Sequence, residues 1–207
     1  MKLVFTGIQG CGKGTQARLL VEKHGFRLLE MWGEFRRVIA SGSELGKKIQ
    51  KLYDAWDQIT AELWVAVMED AVQNIIDNHN DENVIFDAFV RNDWNLEIFN
   101  RLLPDYQVVL FRLSEEKSKQ RLLGRMFNPK TGETFMTGMT MDPKTWDDLI
   151  QRADDNEDGI LKRIDLYNDV TLPIVRIQRQ EWRVLEVNAD QAVEEVFAEL
   201  ESILELN

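Results

Sequence analysis

The chain has 207 residues, 44% of them apolar and 29% charged, with a formal net charge of −11. That length suits one α/β domain with a sizeable core and small inserted subdomains. The negative balance argues against a nonspecific nucleic-acid binder, which needs a basic face, and the single cysteine excludes an intrachain disulfide and a cysteine zinc site. Residues 3–5 form a short apolar strand that runs at once into a glycine-rich segment, too early for a signal peptide. A helix is expected over 14–24, closed by Gly25 as C-cap, and a second strand over 26–29. Residues 31–78 read as almost wholly helical, with breaks near Ser41-Gly42-Ser43 and Trp56-Asp57 and a capped restart at Thr60. A buried strand at 84–86 ends in Asp87, and another spans 106–111 after the break at Pro104-Asp105. Ser114 caps a helix through about Leu123. Residues 127–150 are rich in Asn, Pro, Thr and Gly and read as an excursion from the core. Helix returns over 154–167, a final strand spans 182–187 and an amphipathic helix spans 191–204. No stretch approaches ~18 apolar residues, so no membrane span is expected and the cytoplasm is the expected compartment.

Strands alternating with helices imply a parallel sheet covered on both faces, with ligands beyond the strand carboxyl ends. Residues Gly7-Ile8-Gln9-Gly10-Cys11-Gly12-Lys13-Gly14-Thr15-Gln16 lie at one such end. Strand, glycine-rich turn and helix in that order form a phosphate-binding loop. Glycines let successive N–H groups face one anion, the new helix adds its positive dipole end, and Lys13 supplies a point charge. Gly14 follows the lysine directly, and Thr15 comes one step later. This ending is narrower than the general loop and points to nucleoside monophosphate kinases.

Phosphoryl transfer requires neutralisation of several negative charges, hence more cations than Lys13. Arg36, Arg91, Arg121, Arg125, Arg152 and Arg163 are the candidates. Arg91 sits four residues past Asp87, and Arg121 and Arg125 share one helix face. Taken singly, each arginine also reads as a solvated surface charge. Asp87 is the candidate acid for holding Mg²⁺ through water, with a strand-end cap as the bland reading.

Five segments in order resemble the adenylate kinase family over nearly the whole chain. They are the loop at 7–16, residues 36–47, Asp87-Ala88-Phe89-Val90-Arg91 where the family has Asp-Gly-Phe-Pro-Arg, Arg121-Leu122-Leu123-Gly124-Arg125, and Arg152-Ala153-Asp154-Asp155 with Arg163 and residues 167–173. The resemblance implies an α/β P-loop three-layer sandwich around a central parallel five-stranded sheet. A helical monophosphate-binding insertion at 30–59 and a lid at 127–150 would interrupt a core of 1–29, 60–126 and 151–207. It implies reversible transfer from Mg²⁺-ATP to AMP giving two ADP, in adenine-nucleotide homeostasis, by a monomer with no nucleic-acid or membrane partner. Gly10, Cys11, Gly12, Lys13, Gly14 and Thr15 would hold the donor phosphates. Arg121, Arg125 and Gln191 would complete the donor site. Met31, Trp32, Arg36, Ala88, Arg91 and Asn95 would hold the acceptor. Arg152 and Arg163 would lie around the transferred group, so that Lys13, Arg91, Arg125, Arg152 and Arg163 carry the catalysis. Asp154 would hold the lid arginines in place, and Asp87 would order Mg²⁺-bound water.

Most departures from the family pattern concern the acceptor side. The family's Thr-Gly-Asp is here Met31-Trp32-Gly33, and Glu34 replaces the acid only if the register slips by one. Trp32 either stacks on a base or packs the hinge. Trp56 stands where small residues are usual, and Asn95 stands where a glutamine reads the adenine edge. Val90 replaces a proline, so the bond before it is expected to be trans or a strained cis. Ala189 and Gln191 fall where a glycine and a lysine support the donor base. The 127–150 lid carries a Thr-Gly turn at Thr131-Gly132 and excludes the zinc-bearing variety. His24, His79 and Cys11 are given no catalytic role. Two alternatives stay open: a kinase for another monophosphate, and a nucleotide-binding regulatory protein with impaired transfer. A GTPase-type switch lacks both the Lys-Ser/Thr pair and an Asn-Lys-x-Asp guanine reader.

Overall fold

Strand residues alternate between two apolar clusters, and that alternation builds three layers. The computed structural model describes residues 1–55, 59–78, 82–135, 138–181 and 183–206. Trp56 and His79 therefore lie outside the described residues. Five parallel strands, β1 (Lys2–Thr6), β2 (Arg27–Glu30), β3 (Val84–Asp87), β4 (Gln107–Arg112) and β7 (Val184–Asn188), form a sheet in the order β2-β3-β1-β4-β7. Leu3, Phe5, Ile85, Val109 and Phe111 face a cluster with α1 (Lys13–His24), α6 (Glu115–Leu123), α7 (Glu157–Leu166) and α9 (Val193–Ile203). Val4, Phe86 and Val108 face the other cluster, with α2 (Met31–Ala40), α3 (Glu44–Ala55), α4 (Ala61–Asp77), α5 (Asp93–Leu102) and α8 (Leu172–Gln180). A period of two thus sends neighbouring side chains to opposite faces, and near-continuous apolar strands result.

Local chemistry sets the helix ends. Gly25 adopts φ 69° and closes α1 with its N–H on the carbonyls of Leu20 and Val21. The side chains of Thr60, Asn92, Ser114 and Asn156 accept N–H groups of the first turns of α4, α5, α6 and α7. The Asn156 cap starts α7 at Glu157 rather than at 154. Helices α5 and α8 are additions to the sequence reading.

Helices α7 and α8 form one rod joined by a π-helical turn, Tyr167–Thr171. Pro173 lies at the start of α8. A proline ring clashes with the carbonyl four residues back and brings no N–H, so a widened turn before it relieves both problems. The rod passes from Ile160 and Ile164 in one cluster to Ile174 in the other. Between β4 and α7, β5 (Met126–Phe127) pairs antiparallel with β6 (Thr134–Phe135), and Phe127 also bridges to Ile150. Among the described residues, no helix is long and apolar enough to cross a membrane.

Candidate active site

The register brings three loops to one level. Phe5 on β1 and Glu30 on β2 both pair with Asp87 on β3, so the loop after β1, the start of α2 and the segment after Asp87 leave adjacent strand ends together.

The loop from Gly7 to Gly12 is shaped by close approach. Gly7 has φ 143°, and a Cβ there would lie 2.6 Å from the Phe111 carbonyl. Gly10 has φ 78° and lies against Leu122, where a Cβ would sit 3.1 Å from its Cγ. A side chain at either position would push the loop off the sheet end. Gly12 is the left-handed N-cap of α1, and Gly14 has open space beside it. Lys13 Nζ folds over the loop and donates to the carbonyls of Gly7 (2.7 Å) and Ile8 (3.3 Å), with Cys11 Sγ at 3.3 Å. Cys11 is buried in the core, and Thr15 is half-buried on the first turn of α1.

Two residues of α6 tie down this loop. Ser118 Oγ donates to the Gln9 carbonyl at 2.6 Å. Arg121 reaches the Gly10 carbonyl at 3.5 Å and the Ala189 carbonyl at 2.9 Å, spanning from the phosphate loop to the segment after β7. Gln191, in that segment, is held by the Asn188 carbonyl (2.9 Å) and Glu199 (2.7 Å).

The remaining arginines of the candidate site fall into two kinds, those held by a carboxylate and those that are not. Arg125 and Arg163 share Asp155, whose side chain is wholly buried. Arg163 also reaches Asp154 Oδ2 at 3.1 Å. Burial pushes the Asp155 carboxyl up, but the hydrogen bonds from Arg125 and Arg163 outweigh it and hold it below its ordinary value. Asp154 holds Arg163, as expected, but the larger share falls to its neighbour. Asp155 takes both arginines, because the turn before the Asn156 cap leaves Asp154 half-exposed and points Asp155 inward.

Arg152 and Arg91 carry no carboxylate partner within ion-pair distance among the described residues. Arg152 stacks over the Phe127 ring at 5.1 Å. Loss of hydration and the nearby Arg125 lower its pKa. Arg91 is exposed in the loop after β3; partial loss of hydration lowers its pKa against the pull of Asp87. Arg36 is exposed on α2 and likewise unpaired among the described residues, whereas its neighbour Arg37 is engaged by Glu34 and Asp70.

At the start of α2, Met31 is buried in the core, and Trp32 is 41% exposed against Phe35 and Trp64. Trp32 therefore both packs this corner and leaves a face open. Ala88 adopts φ 65°, a conformation that favours glycine. The bond before Val90 is trans, since no cis peptide occurs among the described residues. Asn95 is buried; its Oδ1 accepts the Arg91 N–H at 3.3 Å and its Nδ2 has no partner.

Asp87 Oδ1 is also buried without a partner. A buried carboxylate oxygen left unsatisfied is costly unless a ligand answers it. Its place beside the phosphate loop fits a hydrated Mg²⁺, a hard cation that keeps several waters.

The segment after Phe127 has a polar centre. Buried Asn128 donates to Asp142 (2.7 Å), Thr145 (3.1 Å) and Asp147 (3.3 Å), and its Oδ1 accepts the N–H groups of Lys130 and Thr131. Among the described residues no cluster of three or more His, Cys, Asp or Glu side chains is placed to hold a metal ion.

Residues 5–182 match the family model described as "Adenylate kinase". The chain belongs to the adenylate kinase family. An adenylate kinase of Chloroherpeton thalassium is 30% identical over 99% of this chain and 98% of its own length. "Adenylate kinase 2" of Schistosoma mansoni is 29% identical over 98% and 88%, and an adenylate kinase of Salinibacter ruber is 27% identical over 99% and 98%. The chain is a nucleoside monophosphate kinase, a phosphotransferase acting on nucleotides; members of this family generally use ATP and Mg²⁺.

Proposed function

We propose that this chain transfers the γ-phosphoryl group of Mg²⁺-ATP to AMP, giving two ADP. The observation that carries the reading is Arg91. It is an arginine without a carboxylate partner among the described residues, four residues beyond Asp87 in the loop that leaves the strand next to the phosphate loop. An unpaired arginine fork suits a phosphate dianion.

In this reading the loop N–H groups and Lys13 hold the donor phosphates. Arg36 and Arg91 hold the acceptor phosphate. Arg125, Arg152 and Arg163 neutralise the charge that spreads over the transferred group. An acceptor phosphate oxygen attacks the γ-phosphorus, the bond to the β–γ bridging oxygen breaks, and ADP leaves. The nucleophile is already anionic, so no general base is required; positioning and charge neutralisation lower the barrier. Asp87, through water, and Thr15 would hold Mg²⁺, which when bound would supply charge neutralisation to the donor phosphates. Closure of 127–150 over ATP would exclude water and suppress hydrolysis.

Adenine is the acceptor base best supported, by the family and by the free amide donor of Asn95. Transfer from Mg²⁺-ATP to AMP, UMP, CMP, GMP and dAMP tests this. AMP should give the highest kcat/KM. A better acceptor among the others would assign Trp32 and Asn95 to a different specificity, and ATP binding without transfer to any of them would contradict the reading.

A further inference from the structure

Arg91 is held by its backbone, not by its side chain. Its N–H donates to Asn95 Oδ1 on α5 at 3.3 Å. Its carbonyl accepts from Thr171 Oγ1 at 3.2 Å, from a residue 80 positions away. The guanidinium has no hydrogen bond or ion pair of its own among the described residues. The direction of its side chain therefore depends on the two peptide units beside it.

Thr171 is the last residue of the π-helical turn, and Tyr167 is the first. Tyr167 packs against the cluster that holds Ile8 and Cys11 of the phosphate loop. One turn of helix thus rests on the donor loop at one end and on the acceptor-side arginine at the other. π-helical turns are rare and concentrate where function demands an unusual side-chain placement. Here the widened turn both accommodates Pro173 and delivers a hydroxyl to the Arg91 carbonyl.

We infer that Thr171 is a positioning residue for the acceptor phosphate: its hydroxyl fixes the peptide after Arg91 and so aims the guanidinium. The inference rests on the reading of Arg91 as an acceptor-phosphate ligand. Thr171→Val keeps the shape and removes the hydrogen bond; Thr171→Ser keeps the hydroxyl. The Kd of AMP, measured by calorimetry without ATP, should rise about 3- to 10-fold in Thr171→Val, the span that one hydrogen bond commands. The KM for AMP should rise in parallel, with the KM for ATP and the melting temperature little changed, and Thr171→Ser should restore both AMP constants. An unchanged AMP Kd, an equal rise in both KM values, or no rescue by serine would overturn the inference. A wild-type chain that binds AMP but shows no transfer would overturn the kinase reading alone. The AMP Kd of Thr171→Val would then still decide the role of Thr171, and absence of AMP binding to the wild-type chain would overturn both.

Discussion

The Asp155 carboxylate meets the Arg125 guanidinium fork to fork, Nε to Oδ2 and Nη2 to Oδ1, both at 2.8 Å. It also accepts from Arg163 Nη2 at 2.7 Å. One buried anion therefore fixes two arginines, Arg125 from the link between α6 and β5 and Arg163 from α7, and leaves Arg152 beside them uncompensated. The cluster keeps a positive excess, which is what a transferring phosphoryl group requires, and keeps it rigid.

Replacing Asp155 should cost stability as well as rate. Asp155→Ala leaves two arginines facing each other and should destabilise the fold by roughly 2–4 kcal/mol in urea unfolding, below the ~3–5 kcal/mol of fully buried pairs because the arginines retain solvent contact. The sign of the pH effect follows from the depressed carboxyl. Its stabilisation is complete above the ordinary aspartate value of 3.8 and is lost as pH falls through the lower folded value. Asp155→Asn should flatten the stability profile in that acid range and leave its neutral shape alone.

Glycines of one loop should respond differently to the same methyl group. Gly7→Ala places a Cβ 2.6 Å from the Phe111 carbonyl at φ 143° and should destabilise by about 3 kcal/mol or more. Gly14→Ala meets open space in the first turn of α1 and should unfold at the wild-type denaturant concentration or up to about 1 kcal/mol later. Equal midpoints for the two variants would contradict the loop geometry.

At Ala88 the chain carries a side chain at φ 65°. Ala88→Gly removes the left-handed penalty of roughly 1–2 kcal/mol while adding unfolded-state entropy. A net stabilisation of about 0.5–1 kcal/mol is expected in thermal or urea unfolding.

Tyr167 should titrate late. Burial, aided by the neighbouring Cys11 thiol and opposed by Arg179, pushes its phenol up to about 12. The neutral phenol favours the folded state. That contribution is complete below pH 10 and is lost as pH rises toward about 12. Ultraviolet titration of the native chain should show a tyrosine that ionises only well above pH 10, absent from Tyr167→Phe.

Much of this architecture is legible in the sequence because short-range chemistry dictates it. The 7–16 loop, the Gly25 C-cap and the caps at Thr60 and Ser114 each follow from one residue's backbone preference. The strand order does not, because β3 and β4 reach β1 from opposite sides through packing rather than through a local signal. Helix α5 is hidden by its shortness and its buried Asn95, and α8 by Pro173, which reads as a stop until the π-helical turn absorbs it. Asp154 and Asp155 are indistinguishable in sequence; only the turn before Asn156 decides which points inward. The Thr171–Arg91 link spans 80 residues and has no sequence signature.

The most direct test of the central claim is phosphorus NMR of the chain with Mg²⁺, ATP and AMP, comparing wild type with Lys13→Ala and Arg91→Ala. The wild type should convert the pair to ADP. Lys13→Ala should lose turnover by about 10²–10³-fold or more, and Arg91→Ala should lose a similar factor in kcat/KM for AMP with ATP affinity retained. No ADP from the wild type, or an Arg91→Ala variant as active as the parent, would contradict the account.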